Sequence, residues 1–180
     1  MGSIKGQKHN PYIEGRYAHI NQNDVVFTPD WLAKQICEMF EIQGRVLEPC
    51  KGEGVFLKYL PDNTEWCEIA DGINFYDYNN KVDWIVTNPP YSDFNRFLEH
   101  SFELADNIVL LVPVAKMFKS MGTLQSIFSY GGFVEIHTLP SSKAGFPFGF
   151  PSAVYYLKQG YKGETKIKML DGIVFQTKKK

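Results

Sequence analysis

No apolar run in this chain approaches the roughly 20 residues needed to cross a bilayer, so no membrane-spanning segment is expected. The start, Met1-Gly2-Ser3-Ile4-Lys5-Gly6, lacks the apolar centre of a secretory leader. Cysteine is scarce. Cys37, Cys50 and Cys67 are an odd number without metal-ligand spacing, which argues against zinc or any other bound metal and fits reduced thiols in a cytoplasm. Also missing are an internal repeat and any linker that would divide the 180 residues. Net charge is almost absent too, at −1.

What is present is a composition of 44% apolar and 15% aromatic residues, which suits a packed globular fold and not a disordered chain. The length is that of one domain, enough for a sheet and its covering helices. The small net charge conceals an asymmetry. Met1 to Pro140 carries 11 basic and 18 acidic side chains. From Ser141 onward Lys143, Lys158, Lys162, Lys166, Lys168 and Lys178 to Lys180 face only Glu164 and Asp171. A solvated lysine-rich hairpin and tail is one reading of that segment; a face for a phosphate backbone is the other.

Residues 1–23 are polar and without periodicity, an irregular arm ahead of a single domain from 24 to 180. Thr28-Pro29-Asp30 reads as a helix start, with the hydroxyl as N-cap and proline in the first turn. Trp31, Leu32, Ile36, Met39 and Phe40 then recur at helical spacing and should face the core. Strands are expected at Arg45 to Glu48, Thr64 to Ile69, Val82 to Thr87, Asn107 to Val112, Phe133 to Leu139, Ala153 to Leu157 and Lys166 to Phe175, the last turning at Asp171-Gly172. Helices are expected at Val55 to Leu60, Asp93 to Ala105 and Met117 to Tyr130. Strands alternating with helices predict an α/β fold, a doubly wound and mostly parallel seven-stranded sheet with helices on both faces.

Three motifs carry chemistry. In Glu48-Pro49-Cys50-Lys51-Gly52-Glu53-Gly54-Val55-Phe56, a turn follows a strand, and Gly52 and Gly54 let backbone approach a ligand closely. Such a site lies beyond the carboxyl end of a strand, where open α/β sheets bind ligands. Glu48 there suits a cationic amino-acid moiety and not a pyrophosphate. At the end of the next strand, the Glu68 carboxylate can accept both ribose hydroxyls of an adenosine.

The third motif, Asn88-Pro89-Pro90-Tyr91, follows the strand Val82 to Thr87 and is the most specific. An amine conjugated to a ring is a poor nucleophile, because its lone pair is delocalised. An amide oxygen and a backbone carbonyl that accept its two N–H groups favour a pyramidal nitrogen with the lone pair free. The prolines fix the carbonyl between them, and Tyr91 can stack on the base and hold it at attack distance.

With these motifs in this order, the chain resembles the adenine-N6 DNA methyltransferases over roughly Asp24 to Leu157. Asn88-Pro89-Pro90-Tyr91 matches their catalytic tetrapeptide, and Glu48-Pro49-x-x-Gly52-x-Gly54-x-Phe56 their cofactor loop with Glu for the commoner Asp. Phe27-Thr28-Pro29 matches a cofactor motif upstream of that loop, so the resemblance implies that Thr28 and Pro29 contact the methionine end of S-adenosylmethionine. Glu68 falls at the ribose-binding acid. Asn74-Phe75 falls where an Asp-Phe pair contacts the cofactor's adenine, and Asp77 is a second candidate for that carboxylate. Few residues separate Glu68 from Asn74, so the helix usual there should be missing. Gly145 to Pro151 falls on the loop whose aromatic packs on an extruded base, with Phe146 or Phe148 the candidate and Lys143 nearby as a substrate contact. A hydrophobic loop packed under the sheet is the other reading of each Phe.

The resemblance implies a class I S-adenosylmethionine-dependent methyltransferase that acts on adenine N6 of a flipped-out base in DNA, either at a defined site or with relaxed context. No separate target-recognition domain is expected, so contacts would come from the arm (Lys5, Lys8, His9, Arg16, His19) and from Lys143 to Lys180. Enzymes acting on RNA or on a protein glutamine share the tetrapeptide, and a non-catalytic methyltransferase-fold subunit is a third class. Phe27-Thr28-Pro29 favours the DNA group; a specificity subunit or a partner restriction nuclease stays open.

Overall fold

The computed structural model describes residues 26–146 and 149–172. The arm 1–23, Phe148 and the tail Lys178 to Lys180 lie outside the described residues. Seven strands make one sheet: β1 Val46–Glu48, β2 Glu65–Trp66, β3 Val82–Thr87, β4 Ala105–Pro113, β5 Gly131–Leu139, β6 Ser152–Gln159 and β7 Lys166–Met169. Their order is β2-β1-β3-β4-β6-β5-β7. Strands β2, β1, β3 and β4 run parallel. Strand β6 runs antiparallel to both of its neighbours, and β7 is parallel to β5. The doubly wound, mostly parallel seven-stranded sheet is therefore the observed architecture.

The apolar runs explain the layers. From Ile108 to Val112, β4 is at most 1% exposed, the pattern of a strand covered on both faces. One face packs Val46, Trp84, Val86, Val109, Leu111 and Val154 against Leu32, Ala33 and Ile36 of helix α1, Asp30–Glu38. The other packs Ile85, Ile108, Leu110 and Tyr155 against Phe94, Phe97 and Leu98 of α2, Phe94–Leu104. Ile127 of α4, Met121–Tyr130, closes the same face. Trp31, expected inside, is 45% exposed, because the buried stripe of α1 runs through Leu32, Ala33, Ile36 and Cys37.

Four local expectations are revised. Pro29, not Thr28, is the N-cap of α1, and no side chain caps that helix. The segment between Gly54 and Pro61 closes only the 3-10 turn Phe56–Lys58. Strand β2 has two residues instead of six, since β1 offers it only Leu47 and Glu48 as partners and Glu68 then bridges to Ile73. Between Glu68 and Val82 stand only the 3-10 turns Ile69–Asp71 and Phe75–Asp77, as the short spacing implied. The helix expected from Met117 is two: the short α3, Val114–Met117, then α4. The break is fixed by Phe118, stacked on Phe133 at 5.8 Å between ring centres, and by Ser120, whose hydroxyl accepts from the Thr123 N–H. No helix among the described residues is long and apolar enough to cross a membrane.

The registers place the motifs at one edge. Leu47 pairs with Ile85 and Thr87 with Leu110, so β1, β3 and β4 end close together. Pro113 pairs with Ser152 and Leu139 with Ser152, which brings the loop after β5 to the same carboxyl edge.

Gly131 opens β5 where a Cβ would stand 2.0 Å from the Lys158 carbonyl oxygen and 2.7 Å from the Gly160 nitrogen, both backbone atoms. Gly131→Ala should therefore destabilise the protein by about 2–3 kcal/mol, the scale of overpacking against atoms that cannot rotate away. Gly132→Ala, whose nearest neighbour would be Tyr161 oxygen at 3.1 Å, should cost much less. Urea unfolding of both variants measures the difference; equal midpoints would refute the packing account.

Candidate functional site

Glu48, the last residue of β1, is wholly buried. Its Oε1 accepts the Thr87 hydroxyl at 2.5 Å and the Cys50 N–H at 3.1 Å. Thr87 is the last residue of β3, so one carboxylate joins the ends of two adjacent strands. Oε2 is buried with no partner among the described residues. Burial pushes this carboxyl up to about 8, against the opposing pull of the Thr87 and Cys50 hydrogen bonds. Burial likewise holds the Cys50 thiol well above its ordinary range, so it stays neutral.

From Cys50 the chain turns through Gly52, at φ +55°, where the ring of Phe27 packs close to the backbone. The Gly52 N–H donates to Glu68 Oε2 at 2.6 Å, and the Ala70 N–H donates to Oε1 at 3.0 Å. The carboxylate is thereby fixed on the wall of a cleft of about 160 Å³ lined by Val26, Phe27, Pro49, Cys50, Gly52, Glu68, Ile69, Asn74, Phe75, Tyr76, Asn88, Pro90 and Phe97. Each oxygen keeps a lone pair for a ligand hydroxyl. A smaller hollow beside it includes Thr28, Phe56 and the other side of Asn88.

Asn88 stands directly after β3. Its Nδ2 donates to the Val26 carbonyl at 2.9 Å and to the Thr28 hydroxyl at 3.2 Å. Its Oδ1 accepts from the Tyr91 hydroxyl at 2.9 Å. Tyr91 is 8% exposed, and its backbone carbonyl accepts from Lys116 Nζ at 2.8 Å.

The structure thus brings Pro49, Gly52, Glu68, Asn74, Phe75, Asn88 and Pro90 to one cleft, with Thr28 and Phe56 at its flank. It does not bring the rest there. Glu48 lies beneath the cleft, and Gly54 and Pro29 shape the turn and helix that flank it. Pro89 is buried behind the motif. Asp77 is exposed and absent from the cleft wall, whereas Asn74 is on it, its Oδ1 accepting from the Tyr76 N–H. Phe146 is 6% exposed and packs in the core with Leu32, Leu139 and Val154, so the reading as a loop packed under the sheet applies to it. Lys143 is exposed on the 3-10 turn Ser141–Ala144.

Sequence reading missed Val26, Thr87, Tyr76, Phe97 and Lys116. Thr87 carried a signal, being the residue before the tetrapeptide; the Val26 carbonyl carried none, since backbone acceptors leave no trace in residue type. A larger hollow of about 730 Å³ around Phe40, Asp83, Trp84 and Tyr156 lies at the amino ends of β3 and β4, away from every motif. Among the described residues no cluster of His, Cys, Asp or Glu could hold a metal ion.

The buried Glu48 sets a pH dependence. Its folded-state pKa stands above the ordinary 4.5, so the fold retains a proton that the unfolded chain releases. Its contribution to stability is intact below pH 4.5, falls as pH rises toward about 8 and is constant above that. Chemical denaturation of wild type and Glu48→Gln between pH 4 and 9 should show that fall in the wild type only. Parallel pH curves would remove Glu48 as the cause.

No protein-family model matches the chain, and no curated protein matches it by sequence. Solved structures do. A candidate class I S-adenosylmethionine-dependent methyltransferase from Listeria monocytogenes superposes with a TM-score of 0.59 at 15% identity, over 89% of this chain and 70% of that one. The methyltransferase subunit of a type I restriction-modification system from Streptococcus thermophilus also gives 0.59 at 15% identity, over 87% of this chain and 50% of its own. A candidate RNA methyltransferase from Pyrococcus horikoshii gives 0.52 at 18% identity, over 72% of this chain and 80% of its own. Together with the strand order and the cleft at the carboxyl edge, these likenesses establish that the chain has the class I methyltransferase fold, the fold also found in type I restriction-modification methyltransferase subunits.

Proposed function

We propose that the protein is an S-adenosylmethionine-dependent N-methyltransferase of the adenine-N6 DNA type. The observation that carries this reading is Asn88: a side-chain amide at the end of β3, held by its nitrogen, on the same cleft wall as Gly52 and Glu68. S-adenosylmethionine, when bound, supplies a methyl group activated by the sulfonium. Glu68 would accept the ribose hydroxyls, Asn74 and Phe75 would flank the adenine, and Gly52 gives the backbone room for close approach. Glu48, kept protonated at neutral pH by its burial, braces that loop from beneath by accepting the Cys50 N–H.

Toward the substrate, Asn88 Oδ1 and the Pro89 carbonyl accept the two N–H groups of the target amine and hold its lone pair clear of the ring. Tyr91 now fills that acceptor with its own hydroxyl, so an arriving amine takes its place and the ring turns to stack on the base. An adenine inside a duplex cannot reach the cleft and must flip out at a cost of a few kcal/mol, offset in part by stacking of about 1–3 kcal/mol. Lys143, on the turn after β5, and Lys166 and Lys168, 66% and 54% exposed beside Glu135 on the edge strand β7, supply cations for phosphate contact; Lys158 and Lys162 stand at the opposite edge, by the amino ends of β4 and β5. Such contacts position the enzyme without reading sequence. A partner subunit is one source of the reading that remains.

The test is incubation with labelled S-adenosylmethionine and plasmid DNA, then nucleoside analysis; N6-methyladenine is expected. Label in RNA or in protein glutamine instead would overturn the DNA assignment. Asn88→Ala should retain cofactor binding and lose transfer by about two to three orders of magnitude, the scale for deleting one preorganised polar group. Near-normal turnover would show the tetrapeptide to be structural.

By calorimetry, Glu68→Ala should weaken cofactor binding by about 1.5–3 kcal/mol, the cost of losing hydrogen bonds to a charged group. Glu65→Ala, which removes a half-exposed pair with Arg45 and a hydrogen bond from the Tyr78 hydroxyl, both off the cleft wall, should leave it unchanged. Equal affinities would reduce Glu68 to a turn-forming acid.

A further inference from the structure

The side-chain amide of asparagine is nearly symmetrical in shape, and its two ends have opposite roles: the oxygen only accepts and the nitrogen only donates. At Asn88 one partner leaves no choice. The Val26 group is a backbone carbonyl, which can only accept, so the end facing it at 2.9 Å must be the nitrogen. That contact fixes one amide proton. The second points to the Thr28 hydroxyl at 3.2 Å, and Thr28 is 8% exposed, so water does not compete freely for the place.

Both protons of Nδ2 are therefore taken by the three-residue stretch Val26-Phe27-Thr28 that precedes α1, and Oδ1 is turned to the opposite side, toward Tyr91. The middle residue of that stretch, Phe27, lines the cleft together with Gly52 of the turn that follows β1. One short piece of chain thus touches the loop assigned to the cofactor and sets the orientation of the amide assigned to the amine.

We propose that Thr28 is a positioning residue for Asn88: its hydroxyl, with the Val26 carbonyl, locks the carboxamide so that the oxygen faces the amine to be methylated. This rests on the reading of Asn88 given above. It also gives Thr28 a duty beyond contact with the cofactor. A hydroxyl that receives from Asn88 keeps a proton to give, so Thr28 can hold the amide and donate to a carboxylate of a bound ligand in the same geometry. Without the hydroxyl, one amide proton loses its acceptor and the side chain is held at one point instead of two. An oxygen aimed with less certainty accepts a hydrogen bond less well, and small misplacements cost large factors in rate.

The test compares Thr28→Val, which removes the hydroxyl and keeps the shape, with Thr28→Ser, which restores it. Thr28→Val should lower kcat about tenfold or more while KM for the nucleic acid moves little, and Thr28→Ser should return kcat to within a few fold of wild type. A loss confined to cofactor affinity, with kcat unchanged, would overturn the proposal and leave Thr28 a ligand contact only. A second measurement does not depend on turnover. The side-chain amide signal of Asn88 in a proton–nitrogen spectrum, assigned by its disappearance in Asn88→Ala, should exchange slowly with solvent in wild type and Thr28→Ser and faster in Thr28→Val. Unchanged exchange would also overturn it. If wild type methylates nothing, the functional reading fails, yet the amide spectrum still decides whether Thr28 holds Asn88.

Discussion

Everything at the carboxyl edge of the sheet hangs on one hydrogen bond between two strand ends, from the Thr87 hydroxyl to the Glu48 carboxyl. Strands β1 and β3 are neighbours through only Val46 with Trp84 and Leu47 with Ile85. Backbone hydrogen bonds tie the turn after β1 to the segment after β2, but among the described residues none joins it to the turn after β3. Glu48 does so from below: one oxygen, Oε1, receives both the Thr87 hydroxyl and the Cys50 N–H. The glycine turn and the Asn88 tetrapeptide then leave their strands from a common anchor. The burial that raises the carboxyl's pKa is what makes the anchor strong, because water cannot compete for Thr87 there.

A second tie runs above the first. Glu68 receives the Gly52 N–H, and Val26 and Thr28 receive Asn88. The cleft is in consequence framed by hydrogen bonds among four chain segments far apart in sequence. Such framing costs conformational freedom before a ligand arrives, which lessens what binding must order later. Tyr91 completes the frame with a hydroxyl that donates to the amide oxygen of Asn88.

Much of this was legible from residues alone, for identifiable reasons. The sheet could be read because Val82 to Thr87 and Ile108 to Val112 are near-continuous apolar runs, which only a strand covered on both faces explains. The position of Asn88, Gly52 and Glu68 at strand ends followed from the same runs. Failures came where a contact distant in sequence decided the outcome. Thr28 reads locally as a helix cap, and only the approach of Asn88, 60 residues later, turns its hydroxyl elsewhere. Phe146 reads equally as a loop aromatic able to meet a base or as a side chain packed under the sheet, and only the core around Leu32 and Val154 decides where it lies. Asp77 has the right chemistry for a cofactor contact, but a 3-10 turn of three residues presents Phe75 inward and leaves Asp77 outside.

The wall between β2 and β3, built of two 3-10 turns without an α-helix, has a mechanical consequence. It is fastened from outside by α2 and its approach: His100 Nε2 donates to the carbonyls of Phe75 and Tyr78, Arg96 lies 3.8 Å over the Tyr76 ring, and Asp93 receives the Tyr76 hydroxyl. A helical wall would have to unwind turn by turn before the cleft widened. Here widening needs only the release of those ties and of the Phe75 ring from Phe97 of α2, with the strands of the sheet left paired. Widening of the cleft then becomes a local event, separable in rate from the opening of the whole fold.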